Sequence, residues 1–306
     1  MPAKRYDIAV VGGGPAGLSA ALWLARYLHK VVVVDSGDPR NWETRGINGY
    51  LGHQGIRSPD LRAIGRSECA EYGVEFVGGI VDEAINETGE LFAVCLRDGS
   101  TIEAPRILLA IGLKDVWPNI PGLDQCYGET VHVCPDCDGY ETRDKKTVVV
   151  GTGRKAVGMA LALTTWTRQI VICTNGEPPD MEQEVLDQLK ALNIPVLDGP
   201  IRCVVSKDRE ISGVELEDGM SLDCERLYFA IGQYPSDDLG AQLGCERDQL
   251  GRLVIDEHNH TSVKNVYAAG DIAHAPQLAI VAASSGAVAA MAIHASLIPE
   301  TRKLPS

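Results

Sequence analysis

The sequence predicts an α/β fold with two Rossmann-like, three-layer domains, and repeated strand–turn–helix patterns carry this prediction. A β-rich run at residues 6–11 leads into a glycine turn, a helical stretch and a second β-rich run that ends in Asp35. The same order recurs between residues 147 and 173, and a third β-rich run ends in Gly270 and Asp271. Units of this kind build parallel sheets covered on both faces. We expect the second domain to be inserted in the first.

The first unit has every part of a dinucleotide site. Its turn at residues 12–17, the first glycine turn, reads G-x-G-x-x-G between a strand and a helix. Gly12 permits the tight turn, Gly14 lets the backbone approach a pyrophosphate, and Gly17 lets the helix pack closely on the strand. Free N–H groups at the helix start favour phosphate. Asp35 can accept hydrogen bonds from an adenosine ribose, so this unit is predicted to bind a dinucleotide.

The second unit lacks the acidic residue. Its turn at residues 151–156, the second glycine turn, reads G-x-G-x-x-A, and Thr174 stands at the position that Asp35 has in the first unit. Neither a carboxylate for a ribose nor an arginine for a 2′-phosphate is present at that position. Arg154 and Lys155 could still hold an anion at the turn, although solvated charge at a helix start is an equally good interpretation.

A pair of cysteines between the two units carries the chemistry. Cys134 and Cys137 are two residues apart with Pro135 between them, and such a pair can close and reopen a disulfide. Asp138 follows directly and is placed to exchange protons with a departing thiolate, although it could also be a helix N-cap. Half of a zinc site and ordinary core cysteines are the alternatives. A four-ligand zinc site needs a second pair, and the other cysteines are isolated, so we predict no metal.

Composition narrows the partners and the location. The net charge of −14, with 42 acidic and 28 basic residues, argues against nucleic acid, because an acidic surface does not release the counterions of a phosphate backbone. Nine scattered cysteines fit a reducing cytoplasm, and residues 1–7 do not resemble the start of a signal peptide. The apolar stretch at 279–293 is interrupted by serines and a glycine, which favours a buried helix over a membrane span.

The remaining segments complete the prediction. Helical composition or spacing is found at residues 18–28, 59–72, 157–165 and 277–297. A small β-meander is predicted within residues 73–99, and buried strands that meet a glycine at 107–112 and 227–232. Residues 117–122 and 244–251 are typical of linkers.

Together these motifs resemble the low-molecular-weight thioredoxin reductases, class II members of the pyridine nucleotide-disulfide oxidoreductase superfamily, over nearly the whole chain. The resemblance implies an FAD-binding domain in two segments, residues 1–116 and 247–306. Residues 117–246 would form a degraded NAD(P)H-type domain that carries the cysteine pair. It also implies a homodimer.

By this resemblance, the site residues can be assigned. Asp271 would lie at the ribityl–phosphate region of FAD, and Gln277 with the following helix start at the pyrimidine end, where the dipole favours negative charge. Cys137 would be the sulfur nearest the flavin, Cys134 the sulfur that attacks a partner, and Asp138 the general acid/base. The full FAD set is Gly12, Gly14, Pro15, Ala16, Gly17, Asp35, Asn48, Gly112, Gly270, Asp271, Gln277 and Leu278.

The chain departs from the NADPH-using members. In those proteins the second unit is followed by His-Arg-Arg and, four positions later, by another arginine, which hold the 2′-phosphate through charge-assisted hydrogen bonds. Here the positions carry Thr174, Asn175 and Gly176, and later Asp180. The prediction is therefore FAD as cofactor, with weak or absent use of NADPH.

Two NADPH-independent branches match residues 134–141 and 49–52. One contains ferredoxin-linked or otherwise nicotinamide-independent thioredoxin reductases, and the other dithiol oxidases, which close disulfides in small molecules and pass electrons to oxygen. The leading prediction is a disulfide reductase for a thioredoxin-like protein, with a ferredoxin-type protein as candidate donor. A small-molecule dithiol oxidase is the alternative. A non-catalytic FAD-binding redox sensor is a third, against which the intact Cys134, Cys137 and Asp138 argue.

Overall fold

The computed structural model describes residues 3–41, 44–273 and 276–302. The chain forms two compact units, the first drawn from residues 1–42, 50–114 and 234–306 and the second from residues 43–49 and 115–233. Each unit contains a five-stranded parallel sheet. The predicted α/β fold with two Rossmann-like units is confirmed.

Three layers build the first unit. Its parallel sheet has the strand order Val266–Ala268, Ile107–Leu109, Ile8–Val11, Val31–Asp35, Glu75–Gly78. Alternate side chains of these strands face opposite layers, as the two-residue period of a strand requires. Ile8 and Val10 are in the core formed with the helices, whereas Ala9 and Val11 are in the core formed with a second sheet. The helices of this unit are Pro15–Arg26, Ser58–Glu71, Leu239–Gln242 and Ala279–Leu297.

The second sheet of the first unit has four strands, in the order Lys4–Arg5, Thr101–Ala104, Phe92–Leu96, Val81–Asn86. The meander predicted within residues 73–99 therefore lies further along the chain, at residues 81–104. Glu75–Gly78 follows a helix and pairs in parallel with Val31–Asp35, so it closes a strand–helix–strand unit in the other sheet.

The second unit repeats the layered arrangement. Its parallel sheet has the order Val131–His132, Arg226–Phe229, Thr147–Val150, Ile170–Cys173, Val196–Leu197. The helices Gly153–Leu163 and Gln183–Ala191 pack on one face of this sheet. A three-stranded antiparallel sheet, which sequence analysis missed, packs on the other: Ile201–Lys207, Glu210–Leu216, Ser221–Asp223. Short helical turns are Asp124–Cys126, Pro135–Asp138, Tyr140–Thr142 and, in the first unit, Glu300–Arg302.

Leu113–Asp115 and Gln233–Pro235 pair as a two-stranded ribbon at the residues where the chain passes from one unit to the other. The sequence-based division placed the return at residue 247. In the structure residues 234–246 lie in the first unit, because Leu239, Leu243 and Cys245 are buried in its core.

The helix Ala279–Leu297 is long and apolar enough to cross a membrane by length and composition alone. Its buried residues include Gly286, Ala289 and Ala290, and Gly286 approaches the backbone of Ala16 so closely that an added Cβ would lie 2.0 Å from the Ala16 carbonyl oxygen. The prediction of a buried helix therefore holds for one face only, since 28% of the apolar window is buried; that the chain does not associate with a membrane stays a prediction.

Candidate active site

The first glycine turn is shaped by contacts that exclude side chains. Gly12 has φ +109°, and a Cβ there would lie 2.2 Å from the carbonyl oxygen of Ala110. A Cβ on Gly17 would lie 1.9 Å from the carbonyl oxygen of Gly12. On Gly14, by contrast, a Cβ would meet nothing within 4 Å in the described part of the chain. The backbone at the start of the helix is therefore open on the side where a diphosphate would bind.

Asp35 lies beside this turn, as predicted. A Cβ on Gly13 would be 2.5 Å from Oδ2 of Asp35. Arg62 Nη2 is 2.5 Å and Arg66 Nη1 3.4 Å from the same oxygen, and Arg62 Nε also donates to the Gly13 carbonyl at 3.2 Å. Neither arginine was predicted from the sequence. Their i,i+4 spacing indicates a shared helix face, but not that this face meets Asp35.

The second predicted fingerprint joins the same unit. Gly270 has φ +80°, its N–H donates to Ser285 Oγ at 3.3 Å, and a Cβ on it would lie 2.9 Å from Cβ of Ala16. Close packing thus brings the residues around Ala16 and Gly270 together. Gly112, with φ +70°, follows the strand Ile107–Leu109, and Leu278 is the N-cap of the C-terminal helix.

Arg40, which sequence analysis also missed, connects two of the predicted FAD residues. Its Nη1 lies 3.4 Å from Oδ2 of Asp271 and 2.6 Å from Oε1 of Gln277. A cation between these side chains suits a cofactor that carries phosphates and gains negative charge on reduction. The open backbone at Gly14, the acid at Asp35 and this cluster fit FAD.

The cysteine pair lies in the second unit at disulfide distance. Cys134 and Cys137 are bonded, with Cα atoms 5.3 Å apart, within the usual range for a disulfide. Cys134 is the N-cap of Pro135–Asp138, and the N–H of Cys137 donates to its Sγ at 3.2 Å. Both cysteines are half-buried. Asn48, predicted near the flavin, belongs to this unit, and its Nδ2 donates to the Cys137 carbonyl at 3.0 Å.

Asp138 has a histidine partner that the sequence analysis did not identify. His132 Nδ1 lies 3.4 Å from Oδ2 of Asp138, and the His132 side chain is only 5% exposed. Its Nε2 is buried without a hydrogen-bond partner among the described residues. Tyr228 packs 5.3 Å from the imidazole, and burial raises the pKa of this tyrosine. The sequence shows that His132 lies two residues before Cys134, but this spacing alone does not indicate that its side chain faces Asp138.

The residue after Asp138 has no space for a side chain. A Cβ on Gly139 would lie 2.5 Å from both the Pro135 carbonyl oxygen and the Trp166 ring. The turn after Asp138 therefore requires glycine. Among the residues that the structure describes, no cluster of three or more His, Cys, Asp or Glu side chains could hold a metal ion.

Comparisons with known proteins show which family the chain belongs to. Residues 6–286 match the family described as pyridine nucleotide-disulphide oxidoreductase. The "Probable thioredoxin reductase" of Arthroderma benhamiae is 30% identical over 88% of this chain and 74% of its own. A component of the alkyl hydroperoxide reductase of Staphylococcus aureus is 27% identical over 88% of this chain, which spans only 54% of that relative's length.

Solved structures give the same result. The crystal structure of HlmI is 34% identical, with a TM-score of 0.90 over 95% of this chain and 92% of its own. Thioredoxin reductase from Streptococcus pyogenes is 26% identical, with a TM-score of 0.89 over 96% of this chain and 98% of its own. The chain therefore belongs to the pyridine nucleotide-disulphide oxidoreductase family, as a thioredoxin reductase-like, flavin-dependent disulfide oxidoreductase.

Proposed function

We propose that the protein catalyses dithiol–disulfide exchange at Cys134 and Cys137, coupled to two-electron chemistry of FAD, as a disulfide reductase that uses NADPH poorly. The half-buried disulfide next to an acid carries this proposal. Poor use of NADPH is supported by Thr174, Asn175 and Gly176, which stand where NADPH-using relatives have cationic side chains.

The reduced pair has groups for each step of exchange. The Cys137 N–H beside Cys134 Sγ favours a thiolate on Cys134. This thiolate attacks one sulfur of a substrate disulfide, which forms a mixed disulfide and releases the other substrate sulfur as a thiolate. Cys137 then attacks Cys134 Sγ, closes the Cys134–Cys137 bond and releases the second substrate thiolate. Asp138 exchanges the protons, and two electrons have passed to the substrate.

Other residues hold these groups in place. Asn48 fixes the backbone at Cys137, and His132 orients the Asp138 carboxyl. Bound FAD supplies the electron pair that reopens the disulfide. Its diphosphate would be held at the first glycine turn, and its ribose by Asp35.

The proposed substrate is a thioredoxin-like protein disulfide, and a ferredoxin-type protein is the proposed donor. A small-molecule dithiol oxidase is the second candidate. The pattern of residues 134–141 fits both NADPH-independent branches. The observation that favours the oxidase is Tyr140, which is 61% exposed three residues beyond Cys137 and has the Arg143 guanidinium 4.0 Å from its ring centre, so that it offers an aromatic contact to a small molecule. In that reaction the substrate dithiol would be oxidised to a disulfide while the Cys134–Cys137 disulfide is reduced to a dithiol, and FAD, when bound, would carry the two electrons to oxygen, which becomes hydrogen peroxide.

An anaerobic titration of the purified flavoprotein tests the proposal. NADPH, NADH, a dithiol and a low-potential one-electron donor are added in separate arms, and flavin absorbance is followed. We expect bleaching by the one-electron donor and subsequent reduction of a thioredoxin disulfide. Bleaching by dithiol alone, with oxygen uptake when air is admitted, would favour the oxidase. Absence of turnover with every donor would leave the redox sensor.

Assembly and location belong to the same proposal. The resemblance supports a homodimer, and the scattered cysteines support the cytoplasm. Sedimentation of the holoenzyme and localisation of the tagged chain test these two clauses.

A further inference from the structure

The second glycine turn is covered by its own chain. The N–H of Gly153 donates to the Pro179 carbonyl at 2.9 Å, and a Cβ on Gly153 would lie 3.4 Å from both the carbonyl oxygen and Oδ2 of Asp180. Gly14 occupies the matching position in the first turn, where a Cβ would meet nothing within 4 Å in the described residues. The same motif is therefore open in one unit and closed in the other.

The covering atoms have the chemistry of a bound phosphate. An N–H at the start of a helix is the donor that a dinucleotide diphosphate requires. Here the helix Gly153–Leu163 starts at that donor, which is already paired with a carbonyl oxygen. The carboxylate of Asp180 adds negative charge at the same place, so an incoming diphosphate meets an occupied donor and a like charge.

Hydrogen bonds hold the covering segment in shape. Thr174 Oγ1 donates to the Glu177 carbonyl at 2.5 Å, and Asn175 Oδ1 accepts from the Ile201 N–H at 2.8 Å. Thr174, which stands at the ribose-binding position of the first unit, is 2% exposed and is bonded within its own loop. Thr174, at the position where a ribose-binding residue would stand, thus stabilises the loop that leads to Pro179 and Asp180.

Lys155 does not offset this arrangement. Sequence analysis considered it a cation that could hold an anion at the turn. In the structure its Nζ donates to the Ile231 carbonyl at 3.0 Å. One of its N–H groups is thereby directed to a backbone oxygen near the end of the strand Arg226–Phe229 and not to the Gly153 amide.

We infer that residues 177–180, the closing segment, occupy the diphosphate position of the second glycine turn and exclude dinucleotides from this unit. This inference rests on the proposed function and deepens it, because it makes Pro179 and Asp180 determinants of cofactor specificity. It also differs from the loss of cations, which concerns only the 2′-phosphate of NADPH. The closing segment excludes NADH, which has no 2′-phosphate, for the same reason.

The test is NADH binding to the oxidised holoenzyme, measured by calorimetry. Pro179→Gly/Asp180→Gly loosens the backbone cover and removes the carboxylate, and glycine tolerates the φ of +51° at residue 180. We expect this variant to bind NADH about tenfold or more tightly than the natural chain, as one recovered charged hydrogen bond would allow. Glu184→Gln removes an exposed acid from the nearby helix and serves as the control, with unchanged affinity.

Each outcome decides the question. A folded, flavin-containing double variant that binds NADH no better than the natural chain overturns the inference and leaves the proposed function intact. Rapid flavin reduction by NADPH in the natural chain would refute the proposal that the protein uses NADPH poorly. Tight binding of NADH to the natural chain would refute the inference that the closing segment excludes dinucleotides. If the double variant fails to fold, amide exchange of the natural holoenzyme decides instead. We expect the Gly153 amide to be protected, and exchange at the rate of an open amide would refute the cover.

Discussion

His132 Nδ1 lies 3.4 Å from Oδ2 of Asp138, the acid that directly follows the redox-active cysteines. The imidazole is 95% buried and touches Tyr228, so it cannot turn to solvent for another partner. A buried ring at this distance limits the orientations that the carboxyl can take. His132 is thus a positioning residue for the proposed proton exchange.

Replacing His132 with asparagine should lower the rate of disulfide exchange about tenfold and change its pH dependence, as expected when a proton-transfer group loses its orientation. Exchange is measured with a small disulfide across pH 5–9, with flavin content as the check on folding. Tyr228→Phe keeps the ring against His132 and should leave the pH profile unchanged. An unchanged profile in His132→Asn would show that the pair is only structural.

Cys134→Ser and Cys137→Ser should each abolish disulfide turnover while flavin stays bound. Each variant leaves one thiol, and neither can close the intramolecular bond. A long-wavelength absorption band, from a thiolate next to oxidised flavin, should be present in Cys134→Ser and absent in Cys137→Ser. The opposite pattern would exchange the roles of the two sulfurs.

Two glycines of the first turn should respond differently to alanine. Gly17→Ala places a Cβ 1.9 Å from a backbone oxygen, so we expect loss of flavin and destabilisation by about 1–3 kcal/mol from overpacking. Gly14 has φ −81° and open space where a Cβ would lie. The apo form of Gly14→Ala should therefore have the same unfolding temperature as the apo form of the natural protein. Its methyl group would obstruct the diphosphate, and flavin content should fall. Full flavin in Gly14→Ala would place the diphosphate elsewhere.

The free cysteines should differ in reactivity. Burial raises the pKa of Cys69 to about 11 and those of Cys173 and Cys224 to about 12, so these thiols remain protonated near pH 8. After mild reduction, alkylation at pH 8 should label Cys134 first and leave these three unlabelled, as peptide mass spectrometry can show. Labelling should reach them only as pH approaches their pKa or the protein unfolds. Early labelling of Cys173 in the folded protein would contradict its burial.

Local patterns predicted the elements closest to the cofactor. The strand Thr147–Val150 ends directly before the second glycine turn, as the repeated strand–turn–helix order predicted, and the first glycine turn, Asp35 and Gly270 lie in one unit as expected. These features depend on spacing of a few residues or on a repeated strand–turn–helix unit, which the sequence displays directly. The point at which the chain re-enters the first unit was predicted too late, at residues 244–251. The glycines there resemble a linker, whereas Leu239 and Leu243, which precede them, are already in the core of the first unit.

Contacts between distant residues could not be predicted in this way. Asn48 reaches Cys137 across 89 positions, and Arg40 reaches Gln277 across 237. The cover of Gly153 by Pro179 depends on the loop conformation after the strand Ile170–Cys173, including the left-handed backbone at Asp180. The missing cations at this loop are visible in the sequence, whereas the carbonyl oxygen of Pro179 on the Gly153 amide is visible only in the folded chain.

The claim that this flavoprotein uses NADPH poorly is tested most directly by anaerobic stopped-flow absorbance with millimolar NADPH or NADH. Thr174, Asn175 and Gly176 offer no clamp for the adenosine phosphate, whose remote binding energy would help to hold the nicotinamide at the flavin. We predict that flavin absorbance persists for minutes with either nucleotide and is lost with a low-potential one-electron donor. Bleaching by NADPH at about 10 per second or faster, a rate typical of enzymes, would contradict this claim and indicate an NADPH-dependent thioredoxin reductase.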